Sequence, residues 1–468
     1  MRSSRTLFAA TLLVSAGAAY GAKEVRLPAT TKQALPNGGV MVLSPNSDVP
    51  VTTVRILFRG GGEADPQDKT GLSSVVAEML RRGTATRSAE QIAEQLDFLG
   101  ANFSGGADNQ ATTFTLDFMS KDAEAALAIL KDVLTQPAFP EAELKKVLAQ
   151  RIDSVKSIKD NPGAAVNVYF RPFFFPPGHP YARTTDERSL ANITRDDVVN
   201  FYRQNFVGRN LIAAAAGAFD GVKFGAQLSA ALAPLPAGTQ FVWPAAPALR
   251  KFDSARLLLV DKPDATQTYF LIAQPGIERT SPDRIPLRLV NTLFGGRFTS
   301  MLNDALRVNS GLTYGANSQV QEDRLTGSLF ISTYTRTDTT EKAIDMALDI
   351  LRQLNQNGIN AEQLASAKAY TKGLYPTRQL ETGPQVADIL SELELYGLNK
   401  GEVDDLFPRI DAVTLERANA VAKKYYRLDN LQLCLVGNAA KIQEAVKKYA
   451  PKMRVITMKE PGFVVPEF

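Results

Sequence analysis

The chain contains one histidine, His179, and one cysteine, Cys434, and these counts limit the chemistry that it can perform alone. A single histidine cannot supply the two imidazoles that a His-x-x-Glu-His zinc site requires. The sequence also has no Gly-x-Ser-x-Gly elbow, no Cys/His pair and no ligand cluster, which argues against a self-sufficient hydrolase. His179 lies in an aromatic, proline-rich loop (173–183) that predicts a structural role, and Cys434 lies in an apolar run (431–436) that predicts an inert thiol in a buried strand.

The most informative pattern is a helix within the segment 65–84. One face of this helix is apolar and carries Leu72, Val75, Val76, Met79 and Leu80. The segment resembles the zinc helix of the pitrilysin-type metallopeptidases, a family that includes insulinase-like and mitochondrial-processing-peptidase-like proteins. In that family a Gly-Leu step precedes His-x-x-Glu-His, whose histidines bind zinc and whose glutamate polarises a zinc-bound water.

The zinc motif is degenerate in either of two alignments. In the first alignment, Ser74, Ala77 and Glu78 stand at the motif positions. In the second, Glu78 matches the motif glutamate, and Val75 and Met79 stand where the histidines belong. Neither alignment supplies zinc ligands, so we expect no metal or other cofactor to be bound by this chain.

The family's third zinc ligand, a glutamate on a later helix, is also replaced. Its position is matched by Arg151 or, one place earlier, by Gln150, and a cation at this position would repel a metal. The resemblance continues through the His-Pro-Tyr step at 179–181 and the segments 193–202 and 205–212, so it covers most of the first half of the chain.

A second pattern lies at 293–318 and resembles the family's Gly-Gly turn, helix and Arg/Tyr pair. Here the turn is Gly295-Gly296, and the pair is Arg307 and Tyr314. The resemblance implies that the pair reaches the zinc-bound substrate of another half or subunit, where a guanidinium and a phenol can donate hydrogen bonds to the oxyanion. The plain alternatives are a cation near a helix C-terminus, an ordinary strand aromatic, and a tight turn rather than a substrate-binding loop.

The organisation of the chain indicates duplication. At 468 residues it exceeds what one core usually organises, and a proline-rich stretch (233–247) separates halves whose strand and helix patterns repeat at an offset of about 216 to 220 residues. We predict an α+β fold of two homologous α/β sandwich domains of the LuxS/processing-peptidase-like type. The predicted bounds are 23–230 for the first domain, 231–252 for the linker and 253–468 for the second domain.

The N-terminus predicts export. Residues 1–22 combine a basic start, an apolar run and small residues, which is typical of a secretory signal peptide, so a periplasmic or extracellular location is expected. No later stretch approaches the length of a membrane span. The net charge of +4 for the whole chain, without a basic block, gives no indication of nucleic-acid binding.

Together these features predict the non-zinc subunit of an exported heterodimeric zinc endopeptidase. The resemblance implies that a zinc-bearing homologous subunit is the partner, that it holds the zinc, and that unfolded peptides are the substrates. The alternative is a stand-alone, catalytically inactive peptide-binding or scaffold protein.

Overall fold

The structure is a computed structural model that describes residues 25–249 and 251–468. The predicted signal peptide therefore lies outside the described residues. Within the described part of the chain, no helix is both long and apolar enough to cross a bilayer.

The strands form two large sheets and one small one. In chain order the strands are β1 (Thr31–Ala34), β2 (Val40–Pro45), β3 (Val51–Arg59), β4 (Asn102–Ala107), β5 (Ala111–Met119), β6 (Leu211–Gly217), β7 (Arg256–Asp261), β8 (Gln267–Pro275), β9 (Ile277–Glu278), β10 (Ala316–Val320), β11 (Glu322–Asp323), β12 (Ser328–Arg336), β13 (Gln432–Gly437) and β14 (Lys452–Thr457).

The helices cover the sheets and fill the space between them. They are α1 (Leu72–Met79), α2 (Ala89–Phe98), α3 (Ala123–Thr135), α4 (Glu141–Ile158), α5 (Pro162–Phe174), α6 (Glu187–Ala191), α7 (Arg195–Asn205), α8 (Gly221–Leu232), α9 (Arg284–Asn291), α10 (Met301–Asn303), α11 (Thr340–Asn357), α12 (Ala361–Gln379), α13 (Gly383–Leu395), α14 (Gly401–Asp404), α15 (Leu406–Asp411), α16 (Leu415–Tyr425) and α17 (Ala439–Val446). Two π-helical turns, Thr292–Gly296 and Asp304–Asn309, flank α10.

The two large sheets repeat one topology. Their orders are β1-β2-β6-β3-β5-β4 and β14-β7-β13-β8-β12-β10. Five strands correspond in order and in pairing sense, including the single parallel pair of each set, β2 with β6 and β7 with β13. The edge strands differ, because β1 runs antiparallel to β2 whereas β14 runs parallel to β7. The predicted α+β fold of two homologous halves is confirmed.

Each half lends one helix to the sheet of the other. Helix α13 of the second half packs on β6 and β3, and helix α5 of the first half packs on β13 and β8. At the first contact Leu390 joins a buried cluster with Val42 and Ala214. At the second, the Phe170 and Phe330 rings lie 5.8 Å apart. Neither sheet is therefore covered by its own half alone.

The sequence shows how these helices come so close to the sheets. Strand β6 is buried throughout and contains four consecutive alanines (213–216), which leave room for a helix on its face. Glycines lie at the start of both exchanged helices, and a Cβ there would lie 3.1 Å from the Thr53 hydroxyl at Gly383 and 3.0 Å from the Tyr269 ring at Gly163. A larger residue at either glycine would push the helix off the sheet.

The linker differs slightly from the predicted bounds of 231–252. Helix α8 continues to Leu232, which is fully buried, so the segment without helix or strand starts at 233 and ends before β7. This segment lies against the body of the protein. The Trp243 ring stacks on the Arg324 guanidinium at 4.4 Å, and Arg324 forms an ion pair with Glu63 of the first half.

We predict that Leu390→Ala destabilises both halves together. Truncation of this buried side chain removes packing from the first sheet and should cost about 2 to 5 kcal/mol of unfolding free energy. Urea unfolding followed by far-UV circular dichroism and by the fluorescence of the single tryptophan should give one coincident transition at lower urea. The control Val222→Ala, at an 84% exposed position, should change stability by less than about 0.5 kcal/mol. Two separate transitions would contradict the shared core.

Candidate functional site

Helix α1 is fixed at its start by a buried carboxylate. Asp65 accepts hydrogen bonds from the backbone N–H groups of Gly71 and Ser73, each at 2.7 Å. Gly71 adopts φ 102°, in the left-handed region that favours glycine. Burial raises the pKa of Asp65 to about 6, against the opposing effect of these hydrogen bonds and of Arg183. These contacts orient α1 without any contribution from the side chains at the former metal motif.

Only two side chains of α1, Ser74 and Glu78, are partly exposed. Val75 and Met79, the histidine positions of the second alignment, are fully buried in the first-half core. Residues that bind a metal from one helix face must lie on the same accessible face. The structure therefore favours the alignment in which Ser74, Ala77 and Glu78 correspond to the zinc motif.

The position of the third ligand is occupied by Arg151 of α4. Its Nε donates to Glu78 Oε2 at 2.9 Å, and its Nη2 donates to the Ser74 carbonyl oxygen at 3.0 Å. Arg82, one turn along from Glu78, donates to Glu78 Oε1 at 2.7 Å. Gln150 is exposed and takes no part in these contacts. A guanidinium thus joins α1 to α4 where the family places a metal ion.

These residues do not fit zinc. The three counterparts of the ligands supply one carboxylate, and both of its oxygens accept hydrogen bonds from guanidinium groups. Burial would raise the pKa of Glu78, but the hydrogen bond from Arg82 and the charge of Arg151 outweigh it, so the pKa is lowered. In the described part of the chain, no group of three or more His, Cys, Asp or Glu residues is arranged to hold a metal.

Arg307 and Tyr314 lie on the surface of the second half. Arg307 belongs to the π-helical turn Asp304–Asn309, and its guanidinium stacks on the Phe298 ring at 4.8 Å. Tyr314 lies just before β10 and is 80% exposed. Among the described residues, neither side chain forms a hydrogen bond or ion pair. The neighbouring Phe298 and Val308 are also exposed, at 63% and 61%.

The predicted glycine pair divides into a packing residue and an exposed one. Gly295 is buried, and a Cβ there would lie 2.3 Å from the Ser318 backbone nitrogen of β10. Its lack of a side chain is therefore explained by packing. Gly296 is exposed and is the member of the pair that a ligand could reach.

The structure does not bring the two candidate groups together within one chain. Among the described residues, no hydrogen bond, ion pair or cation–π contact joins Arg307 or Tyr314 to Glu78 or Arg151. Sequence reasoning missed Arg82, although its spacing of four residues from Glu78 on one helix was a usable signal. It also missed Phe298, whose contact with Arg307 depends on the path of the chain and left no sequence signal.

His179 and Cys434 have the surroundings of structural residues. His179 is buried beside Phe175, and its Nδ1 accepts a hydrogen bond from the Tyr181 N–H at 3.1 Å. Burial, together with the charge of Arg324, lowers the pKa of His179 to about 4, so the imidazole is neutral. Burial raises the pKa of the Cys434 thiol, which favours the unreactive protonated form.

Two family models match the chain. The model described as insulinase (peptidase family M16) matches residues 40–168, and the model described as the peptidase M16 inactive domain matches residues 192–370. The chain belongs to the M16 peptidase family. Because the zinc ligands are replaced, this M16 homologue is a catalytically inactive member, and it binds no zinc through the family's motif.

The curated relatives of this M16 homologue are distant but matched over most of their length. An uncharacterized zinc protease of Streptomyces coelicolor is 24% identical over 83% of this chain and 85% of the relative. A Helicobacter pylori protein named a non-peptidase homolog is 23% identical, over 86% and 92%. A probable β subunit of the mitochondrial-processing peptidase of Arabidopsis thaliana is 22% identical, over 88% and 78%.

Solved structures show the same fold. A peptidase M16 inactive domain from Pseudomonas fluorescens matches with a TM-score of 0.80 and 24% identity, covering 88% of this chain and 98% of that one. A Helicobacter pylori structure described as a protease matches with a TM-score of 0.81 and 17% identity, covering 88% and 100%.

We predict that zinc binding can be rebuilt by four substitutions, Ser74→His, Ala77→Glu, Glu78→His and Arg151→Glu. Ser74→His, Glu78→His and Arg151→Glu restore the family's three ligands where α1 and α4 meet, Ala77→Glu restores the water-polarising glutamate, and about one zinc per chain should be retained. Elemental analysis after dialysis measures the zinc, and circular dichroism checks the fold. The matched control keeps Arg151 and should retain far less zinc, because its guanidinium repels the metal. A folded fourfold variant without zinc would contradict this assignment of positions.

We predict that the stabilising effect of Glu78 is lost in acid. Since its pKa is lowered from 4.5 on folding, the carboxylate stabilises the folded state above pH 4.5, and the effect disappears as the pH falls through the lowered value. Glu78→Gln should cost about 1 kcal/mol at neutral pH, and the difference from the unsubstituted protein should shrink below pH 4.5. Urea unfolding across this range measures it. The exposed control Glu124→Gln should show no such convergence, and a constant difference for Glu78→Gln would refute the prediction.

Proposed function

We propose that this M16 homologue is the non-zinc subunit of an exported heterodimeric zinc endopeptidase. In this proposal it supplies Arg307 and Tyr314 to bind peptide and to stabilise the oxyanion at the zinc site of a homologous partner. The observation that carries the proposal is that Tyr314 is 80% exposed and Arg307 is partly exposed, and that neither side chain has a polar partner among the described residues.

The chemistry of the pair suits this role. A guanidinium and a phenol are hydrogen-bond donors that match the negative charge developing on a peptide carbonyl oxygen during attack by zinc-bound water. The Phe298 ring beneath Arg307 limits the directions that the guanidinium can take. A donor that is already oriented loses less freedom when it meets the transition state.

The contrast between the two halves supports a division of labour. In the first half, Arg151 and Glu78 close the former metal position with an ion pair. In the second half, Arg307 and Tyr314 remain accessible. A purely structural protein has no oxyanion to stabilise, so it does not need an accessible arginine and tyrosine without polar partners at this position. Zinc and its ligands would belong to the partner, and unfolded peptides would be the substrates.

Two further parts of the proposal rest on the sequence and on a relative. The composition of residues 1–22 supports export to the periplasm or beyond the cell. A heterodimer is supported by the resemblance to the Arabidopsis protein, which is named as one subunit of a processing peptidase.

A stand-alone peptide-binding protein is the second candidate, and strand β4 is the observation in its favour. Within residues 25–249 and 251–468, this strand forms one edge of the first sheet and pairs only with β5. An unpaired strand edge can accept an extended peptide through main-chain hydrogen bonds, without catalysis. The Helicobacter relative named a non-peptidase homolog is consistent with this role.

The test isolates the tagged protein from the exported fraction together with its partner and measures chelator-sensitive cleavage of an unstructured peptide. Arg307→Ala and Tyr314→Phe should each lower kcat/KM by about two to three orders of magnitude, because each removes an oxyanion donor, while the partner still co-purifies. Arg336→Ala, at an exposed arginine paired with Asp338, and Tyr334→Phe, at a tyrosine stacked on Tyr269, are the matched controls and should leave cleavage unchanged.

Each other result rejects the proposal in a defined way. Full activity of both variants would remove the pair from catalysis. Loss of the partner in either variant would make the pair a docking element instead. A protein that elutes alone, inactive, and binds the peptide would favour the second candidate.

A further inference from the structure

A cavity of about 390 Å³ lies in the second half, between α9, α12, α13 and α15. Three arginines line it, Arg279, Arg284 and Arg288. Aliphatic side chains, among them Leu289 and Leu406, line it as well. Its size falls within the range of small-molecule sites, and a mixed polar and apolar lining is typical of them.

The internal repeat places this cavity at the counterpart of the former metal position. Helices α4 and α12 start at Glu141 and Ala361, an offset of 220 residues, which makes Thr371 the counterpart of Arg151. Helix α9 is the counterpart of α1, since α1 packs on α4 and α7 whereas α9 packs on α12 and α16. In the first half a guanidinium fills this space, but in the second half Thr371 leaves it open.

Arg279 provides a buried donor without a hydrogen-bond acceptor. The residue is 7% exposed, and its Nε donates to Glu392 at 2.8 Å. Its Nη1 has no hydrogen-bond partner among the described residues. It lies 3.5 Å from Oε2 of Glu402, which already accepts from Arg284. A buried donor of this kind favours an acceptor brought by a ligand.

The charges around the cavity leave room for one negative group. Four guanidinium groups face three carboxylates in one network, made of Arg279, Arg284, Arg288, Arg409, Glu322, Glu392 and Glu402. Asp388 also lines the cavity but is paired with Arg55. The hydroxyl groups of Thr371 and Tyr375 line it too and have no hydrogen-bond partner among the described residues. Burial raises the pKa of Tyr375, so its hydroxyl remains a donor.

We propose that this cavity binds a small monocarboxylate with an apolar body. The carboxylate accepts from Arg279 Nη1 and from the Tyr375 hydroxyl, and the aliphatic wall covers the body of the ligand. A free medium-chain carboxylate and the C-terminal residue of an apolar peptide share this chemistry. The site is independent of Arg307 and Tyr314 and does not require a partner subunit.

Calorimetric titration of the purified chain tests the proposal with octanoate, octan-1-ol, and the dipeptide acetyl-alanyl-leucine as free acid and as amide. Octanoate or the free-acid dipeptide should bind saturably, and octanol and the amide at least about tenfold more weakly, because they lack the charge that Arg279 recognises. The acid that binds more tightly identifies the source of the carboxylate. Equal binding of acid and neutral forms, or no saturable binding of either acid, would overturn the proposal.

Three variants locate the site. Tyr375→Phe should weaken binding of the acid several-fold with little effect on the fold, and Leu406→Trp should abolish it by filling the cavity. Arg279→Gln should weaken binding at least about tenfold. The matched control Arg336→Gln, at an exposed arginine away from the cavity, should bind as the unsubstituted protein does. If Arg279→Gln fails to fold, the other two variants decide, and unchanged binding in both would overturn the proposal.

Discussion

The structure depends on the exchange of one helix between its halves. Helix α13 packs on the first sheet and helix α5 packs on the second, so each sheet is partly buried by residues of the other half. Apolar burial is the main favourable term in folding, and here it also links the two halves. The Arg55–Asp388 ion pair and the hydrogen bond from Arg55 to Ser391 extend the link at its polar margin. The distance between the former metal position and the Arg307 surface is therefore fixed by the core.

The two halves differ at the position where the family's metal site lies and at its counterpart in the second half. In the first half, a guanidinium and a carboxylate replace the metal and still join α1 to α4. A partly buried pair of this kind is tolerated because Arg82 and the Ser74 carbonyl satisfy the remaining groups. In the second half, the equivalent helices α9 and α12 still contact each other, but Thr371 leaves a cavity beside them that charged groups line. Equivalent positions thus form a closed contact in the first half and line a cavity in the second.

Much of the fold could be predicted from the sequence, because the same periodic pattern of apolar residues occurs in both halves. The helix within 65–84 and the repeat offset both appear where local patterns indicated them, as α1 and as the 220 residues between the starts of α4 and α12. The helix exchange could not be predicted, because periodicity identifies the apolar face of α13 but not the sheet that receives it. The linker start was misplaced for a related reason, since only tertiary packing shows that Leu232 is buried on α8.

The candidate site was predictable in part. Counting histidines was sufficient to remove the zinc site, whereas choosing between two alignments required knowing that Val75 and Met79 are buried. For Gly295, the sequence motif could not distinguish a packing role from a ligand-binding role. Its closeness to Ser318 is a property of packing that a Gly-Gly motif does not reveal. The accessibility of the Arg307 and Tyr314 side chains depends on which parts of the fold pack against them. A sequence pattern does not give this information.

The ion pair between Arg151 and Glu78 also changes what this protein needs in order to fold. Where a metal joins two helices, the folded state depends on the supply of that metal, and chelators weaken it. Here both members of the cross-link are encoded in the chain, so this contact between α1 and α4 forms without zinc. In a heterodimer, scarcity of zinc would then disable one subunit while its companion stayed folded and ready to assemble. Such an assembly would regain activity as soon as the metal returned.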